Sequence, residues 1–450
     1  MNIVYGLLPG MVIGRTGELC RGRFVADADG DVAVEGFHAR IEEDGVEDGH
    51  RVFWLTGIPI GGPYTVTLTD DQGAVTVDNL YVGDVWLLGG QSNMEGVGYY
   101  RDIAAGVRVF PFWRQFSFDN AHWEPAEPRM HRGWLNPHPF MTRHFAGHGG
   151  VQERGVGPGY YFARAMYRRT GVPQGVIPCA LGGSNMGDWD PEAPDKLYAM
   201  TIERFRLSGS HVAGIFWYQG CSDANPDAAA RFTERMIALV DAFRRDCGDP
   251  ALPFVQVQIG RFTNTPLTED AVWSAIREHQ RRLSEKIDRL DTVAVTDADY
   301  ADGIHLQAGY HERLGENAAE SMYRLCFDPR GLRSLPAPAL ASIRAIDDPD
   351  TFGETLAVTF DHVHGDLRSP GVPAGFALSR VPDQIDTMSI FRIELMGGRA
   401  LIYHEVPRDQ LGEMYLSYYF GNGRYANITD AAGRPLPAFG PLKLADWLEQ

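Results

Sequence analysis

The sequence predicts an α/β protein built on a doubly wound parallel sheet, flanked by a β-rich segment on each side. Three observations carry that prediction. Between about residues 81 and 333, short and wholly apolar runs alternate with longer stretches of helical periodicity, the pattern of buried parallel strands covered by helices. The first eighty residues instead hold short β-rich runs separated by Gly, Asp and Pro turns. A proline-rich stretch, Pro329 to Pro338, then ends the helical pattern and leads into a second β-rich region.

The elements follow in order. Asp31–Val34, Arg51–Leu55 and Tyr64–Leu68 read as strands of a small N-terminal β-sandwich. Val85–Leu88 is the first buried strand of the parallel sheet, followed by Gly175–Pro178, Ala213–Trp217, Phe254–Val257 and Thr292–Val295. Between them, Tyr160–Arg169, Ala228–Arg245 and Val272–Ile287 carry apolar residues at three- and four-residue spacing and are predicted helices. Beyond the prolines, Leu356–Phe360, Ile390–Ile393 and Met414–Tyr418 read as strands. The division expected is 1–80 N-terminal β-rich, 81–333 α/β, a linker, and 339–450 C-terminal β-rich. A chain of 450 residues needs two or three domains in any case, because single cores stop growing near ~250–300 residues.

Composition narrows the function. Hydrophobic residues make up 44% and charged residues 22%, which predicts a folded globular chain. The net charge of −18 offers no basic face for nucleic acid or an anionic membrane, and points to a neutral or carbohydrate-like partner. No apolar run approaches the ~20 residues of a membrane helix, and the first ten residues lack a secretory leader. The sequence therefore reads as cytoplasmic, or as secreted or periplasmic had a leader been removed. Cys20, Cys179, Cys221, Cys247 and Cys326 are odd in number and scattered without metal-ligand spacing, so reduced thiols are expected.

Gly90-Gln91-Ser92-Asn93-Met94 follows the first buried strand and opens a helix. That places the Ser92 hydroxyl at the carboxyl end of a parallel strand, where open α/β sheets bind ligands, with its own N–H aimed at the same space. An ordinary helix N-cap explains a lone serine there equally well. Met94 occupies the place of the second glycine of a Gly-x-Ser-x-Gly elbow, so a different serine-hydrolase layout is implied. A serine nucleophile needs a base and a group to orient it, and Asp302-Gly303-Ile304-His305 after the last predicted strand supplies both, although such a tetrapeptide is also a common solvated turn. Ala180-Leu181-Gly182-Gly183-Ser184 offers unobstructed backbone N–H groups, and Trp217-Tyr218-Gln219-Gly220-Cys221-Ser222-Asp223 brings a carboxamide. With the Ser92 N–H these compose an oxyanion hole whose donors each lower a barrier by about 2.7–4 kcal/mol. All four segments fall after strands of one predicted sheet, where their side chains can converge.

These four blocks, in this order, resemble the sialate O-acetylesterase-like branch of the SGNH hydrolases, which includes carbohydrate acetylesterases. Gly61-Gly62-Pro63-Tyr64 and the β-rich C-terminal part are similar to members of that branch as well, so the likeness spans most of the chain. The resemblance implies an SGNH-hydrolase (flavodoxin-like) sheet with β-sandwich-like domains on both sides. It also implies Ser92 as nucleophile, His305 as base, Asp302 as its orienting partner, and Ser92, Gly182 or Gly183, and Gln219 as oxyanion donors. The chain departs from its relatives at Cys221, where glutamate is common, and at Ser184, where threonine is. Other SGNH enzymes use an asparagine in the oxyanion role that falls to Gln219 in this chain.

The implied reaction is hydrolysis of an O-acetyl ester on a carbohydrate without a metal or other cofactor. Asn93, Asp223 and the aromatic residues Trp113, Trp123 and Trp134 of the long stretch from Tyr99 to Gly150 are expected to contact the substrate, since aromatic rings stack on sugar faces. That stretch also holds His122, His131, His138, His144 and His148, but no pair has the helical spacing of a metal site. Cys221 as a nucleophile lacks a neighbouring histidine. The rival readings are a non-catalytic carbohydrate-binding protein on the same fold, and a lipase or thioesterase, which would need a wide apolar groove. The sequence leaves open the sugar, the hydroxyl position and the oligomeric state.

Overall fold

A computed structural model of the chain describes residues 1–36, 38–96, 98–99, 113–117, 122–126, 130, 154–263, 269–347, 353–383 and 389–448. It is a mixed α/β structure with parallel and antiparallel sheets. The chain divides into two compact units: Met1–Trp217 with Ala238–Phe254 and His311–Ala319, and Tyr218–Ile237 with Val255–Tyr310 and Glu320–Gln450.

In the first unit the N-terminal strands Asn2–Tyr5, Leu19–Asp27, His50–Pro59 and Arg40–Glu47 form an antiparallel sheet in that order. Gly61–Asp70 turns back at Asp70 and Gly73 onto a strand of eighteen residues, β1 (Gly73–Gly90). The expected boundary at residue 80 lies inside β1, whose first half pairs with that hairpin while its second half is buried without interruption. Next come β2 (Trp113–Ser117), β3 (His122–Pro125), β4 (Gln174–Pro178) and β5 (Gly214–Tyr218), and the sheet order is β3-β2-β4-β1-β5. β2 and β4 run parallel to each other, as do β4 and β1. All residues of β4 and β5 are buried, as unbroken apolar runs require of strands covered on both faces. Trp86 in β1 is fully buried and satisfies its indole N–H on the Gln174 carboxamide at 2.7 Å.

The order of β4, β1 and β5 fixes where a ligand would sit. From β1 the chain goes first to β2, β3 and β4 on one side and then to β5 on the other. The carboxyl end of β1 is therefore a point where the winding reverses, the place at which open α/β sheets leave a crevice. Three helices of this unit are α1 (Ser92–Glu95), α2 (Pro158–Thr170) and α3 (Leu197–Leu207).

The second unit holds the neighbouring strands β6 (Phe254–Val257) and β7 (Leu290–Val293), joined by the Gln258 N–H to the Val293 carbonyl at 2.8 Å. β7 begins two residues before the predicted strand. The predicted helix Ala228–Arg245 is two helices, α4 (Pro226–Ala229), which Asn225 caps by accepting the Ala228 N–H at 3.0 Å, and α5 (Phe232–Asp246), with a turn between them. α6 (Asp270–Leu283) overlaps its prediction but ends four residues earlier, and α7 (Ala308–Phe327), whose middle His311–Ala319 belongs to the first unit, is a twenty-residue helix absent from the predicted set. C-terminal to it, a four-stranded antiparallel sheet, Ala339–Ile346, Glu354–Asp361, Arg399–His404 and Ile390–Met396, and a three-stranded one, Phe376–Ser379, Tyr415–Tyr418 and Phe439–Lys443, contribute to one apolar core. Arg277 of α6, 1% exposed, ties α6 to that region by donating to the carbonyls of Ile259, Gly260, Tyr419 and Gly421.

Candidate active site

At the end of β1 the chain makes one tight helical turn. Gln91 is the N-cap, in an extended conformation, and its carbonyl accepts from Met94 and Glu95. Ser92 is thus the first residue inside α1, and the position that a capping serine would need belongs to Gln91. Ser92 is half-buried, and its N–H belongs to the first turn of α1.

The Leu181–Ser184 turn lies against it. Leu181 N–H bonds to the Gly90 carbonyl at 3.0 Å, and the Ser184 hydroxyl, fully buried, reaches the Leu181 and Gly90 carbonyls at 2.8 and 3.3 Å while accepting from the Trp189 indole at 3.0 Å. Ser184 therefore fastens this turn to the last residues of β1, a role for its hydroxyl that the sequence did not show. Gly183 sits at φ +74°, a left-handed conformation that glycine adopts without strain. Gly182 is required for a different reason. A methyl group there would lie 2.8 Å from Glu95 Oε2 and 3.5 Å from the Ser92 Cβ.

Glu95 is the unexpected member of this group. Its Oε2 accepts the Gly182 N–H at 2.7 Å. Burial pushes the carboxyl up to about 8 and outweighs the lowering effect of that bond, so the side chain is mostly a neutral acid at pH 7.

In the second unit Gln219 is fully buried, and its Nε2 donates to Asp223 Oδ2 at 2.5 Å. The Gln219 carbonyl accepts from Gln280 Nε2 at 2.8 Å, and Gln280 Oε1 accepts the Ile259 N–H at 2.9 Å. A mid-helix glutamine thereby fixes the backbone on which Gln219 stands, a second contributor invisible to motif reading. Cys221 has its thiol pushed up to about 12 by burial, against the opposing pull of Arg277, which removes the thiolate that a cysteine nucleophile requires.

Asp302 and His305 form the pair that their spacing predicts. His305 Nδ1 and Asp302 Oδ2 are 2.7 Å apart, and Asp302 Oδ1 also accepts the backbone N–H groups of Ile304 and His305 at 2.9 and 2.8 Å. Desolvation acts to raise the Asp302 carboxyl, yet the bonds from the imidazole and the two amides outweigh it and hold it below the usual carboxylate range. An ionised Asp302 accepting at Nδ1 sets the tautomer that leaves Nε2 as the basic nitrogen.

Comparison with known proteins gives this chemistry its family. The model of the family described as "Carbohydrate esterase, sialic acid-specific acetylesterase" matches residues 82–324, more than half of the chain and every site segment described above. The chain belongs to this carbohydrate esterase family. It is a carboxylic ester hydrolase, a carbohydrate acetylesterase. No curated protein matches it. Among solved structures, a carbohydrate acetylesterase from Xanthomonas citri is similar over 97% of this chain and 99% of its own, with 22% identity and a TM-score of 0.71, a likeness of fold. A protein from Arabidopsis thaliana is 26% identical over 53% of this chain and 97% of its own, at a TM-score of 0.42.

The remaining expectations for the esterase divide. Asn93 and Asp223 are 2% and 1% exposed, and Asp223 engages the Gln219 carboxamide. Trp123 is 3% exposed, with its ring packed over the backbone at Gly175 of β4, so it has no open face on which a sugar could stack. Trp113 opens β2, and its side chain lies outside the described residues, as do Trp134 and the histidines of this stretch other than His122. Among the described residues no group of three or more His, Cys, Asp or Glu is arranged to hold a metal ion, and no helix is long and apolar enough to cross a membrane.

Proposed function

We propose that the esterase removes O-acetyl groups from a carbohydrate through an acyl-enzyme on Ser92, on an SGNH-type sheet flanked by β-rich N- and C-terminal domains. The observation that carries this reading is the position of Ser92. It opens the helical turn that follows the reversal strand β1, with Gly182 so near that a methyl there would touch the Ser92 Cβ. His305, oriented through Nδ1 by Asp302, accepts the Ser92 hydroxyl proton at Nε2 as Oγ attacks the acetyl carbonyl. The resulting oxyanion is stabilised by N–H groups of Ser92 and the Gly182–Gly183 turn and by the Gln219 carboxamide. Collapse of the intermediate breaks the bond to the sugar oxygen, which takes the proton from His305. A water molecule, deprotonated by His305, then releases acetate and restores the serine.

Ser92→Ala tests the mechanism. The folded variant should lose hydrolysis of p-nitrophenyl acetate, and undiminished turnover would refute the acyl-enzyme. Acetate release from acetylated sialic acid, xylan and xyloglucan fragments, compared by kcat/KM, assigns the substrate.

A further inference from the structure

The Gly182 N–H is one of the groups that family resemblance assigns to the oxyanion, yet in the structure it is committed to Glu95 Oε2. Ser92 and Glu95 are three residues apart on α1 and so lie on one helical face. The carboxyl oxygen, Gly182 and the nucleophile's side chain are gathered at one point, which is why a methyl at Gly182 would meet both Glu95 Oε2 and Ser92 Cβ. The turn is held there by the bonds from Leu181 and the Ser184 hydroxyl to the Gly90 carbonyl at the end of β1, and by the carboxyl bridge from Glu95 of α1.

We propose that Glu95 is a positioning residue that clamps the Gly182–Gly183 turn against Ser92. The proposal rests on Ser92 being the nucleophile. Neutrality is essential to it, because a carboxylate touching Gly182 would stand beside the negative charge that develops on the acyl oxygen and oppose it. Burial keeps the acid form dominant at neutral pH. Among the described residues, the elements most extensively packed against α1 are β1 and α2. Their titratable groups are Asp84, paired with Arg15 toward the middle of β1, Tyr160 and Tyr161 in the first turn of α2, and Arg164, engaged by Glu312 and Glu316, with Tyr167, Arg168 and Arg169 beyond it. On β1 there are also Asp78 and Tyr81, in its first half. None of them contributes to the Glu95 shift, which comes from burial opposed by the Gly182 bond.

The test is the pH profile of kcat for p-nitrophenyl acetate between pH 6 and 10, with spontaneous hydrolysis subtracted, for the wild type, Glu95→Gln, Glu95→Ala and Ser92→Ala. The wild type should lose rate about tenfold per pH unit above about 8. Glu95→Gln keeps a carbonyl oxygen for Gly182 and cannot ionise, so its alkaline limb should vanish. Glu95→Ala should lower kcat about a hundredfold with KM nearly unchanged, as a displaced turn would, and the glutamine variant should recover at least about tenfold of that loss. An alkaline limb unchanged in Glu95→Gln, or a Glu95→Ala enzyme as fast as wild type, overturns the proposal; the latter would make Glu95 an obstruction that the turn must shed. If Glu95→Ala does not fold, the profile of Glu95→Gln decides alone. Turnover in Ser92→Ala sinks the nucleophile assignment itself, whereas an inactive Ser92→Ala beside an unaltered Glu95→Gln profile sinks only the role of Glu95.

Discussion

Replacing Asp302 by asparagine isolates the orientation of His305 from its presence. In the structure one carboxylate oxygen accepts the Ile304 and His305 amides at 2.9 and 2.8 Å, and the other meets His305 Nδ1 at 2.7 Å. Asparagine can keep the first pair through its carbonyl oxygen, which turns its NH2 toward Nδ1. The imidazole must then accept at Nδ1 and carry its proton on Nε2, the wrong tautomer for a base. Restoring the working tautomer costs one hydrogen bond to a charged group, about 1.5–3 kcal/mol, and leaves two donors face to face, about 1–3 kcal/mol more. The midpoint, about 4 kcal/mol, corresponds to about 10³ in rate. The Asp302 side chain is 42% exposed, so solvent screens part of this and the expected fall in kcat/KM is about 10²–10³. The assay is p-nitrophenyl acetate hydrolysis at pH 7.5 with Tm measured alongside, and Asp302→Ala as comparison should be less impaired, since it imposes no tautomer. A folded Asp302→Asn enzyme within about threefold of wild type would refute the orienting role. The sign of the pH effect follows from the same bonds. Because the folded-state carboxyl is held below its usual value, its contribution is complete above about pH 4 and is lost as pH falls through the depressed value.

Two further predictions concern the same neighbourhood. Gly182→Ala places a methyl 2.8 Å from Glu95 Oε2, so kcat/KM should fall about 10–100-fold for a stability loss of about 1–3 kcal/mol; an active variant with unchanged Tm would show that the turn has room to spare. Alkylation of the native enzyme with iodoacetamide at pH 7.5 should leave activity intact, because burial pushes the Cys221 and Cys247 thiols up to about 12 and leaves almost no thiolate; rapid inactivation traced to Cys221 would contradict this.

How much is legible in the sequence depends on whether a residue's role is local. The runs at 85–88, 175–178, 213–217 and 254–257 can be read as buried strands because burial on both faces removes alternation, and each falls on a strand of the structure. α7 escapes the sequence pattern for a tertiary reason. Its Gly315 breaks the apolar pattern and lowers helix propensity, yet a methyl there would come within 2.6 and 2.7 Å of the Phe162 nitrogen and the Pro158 carbonyl, so the glycine is what lets the helix backbone approach α2. Trp123 misleads for the converse reason. An aromatic residue in an irregular stretch looks available to a ligand, and only the pairing of His122–Pro125 with Trp113–Ser117 shows that its ring is turned inward.

The site divides along the same line. Ser92 and the Asp302–His305 pair, the proposed nucleophile, base and orienting acid, become legible only in company, since each alone reads as well as an N-cap or a solvated turn and the four ordered blocks together raise them. Glu95 does not, since a carboxylate in the first turn of a helix is an ordinary complement to the helix dipole and gives no hint of a partner 87 residues away. Nor does Gln280, whose hold on the Gln219 carbonyl spans 61 positions. Both act on backbone rather than on substrate, and a backbone partner leaves no signature of residue type at its own position. The residues proposed to set the oxyanion geometry of this esterase are therefore the ones that motif reading is least able to find, and substitutions at Glu95 and Gln280 should alter kcat with little effect on KM where changes to a sugar-contacting side chain would do the reverse.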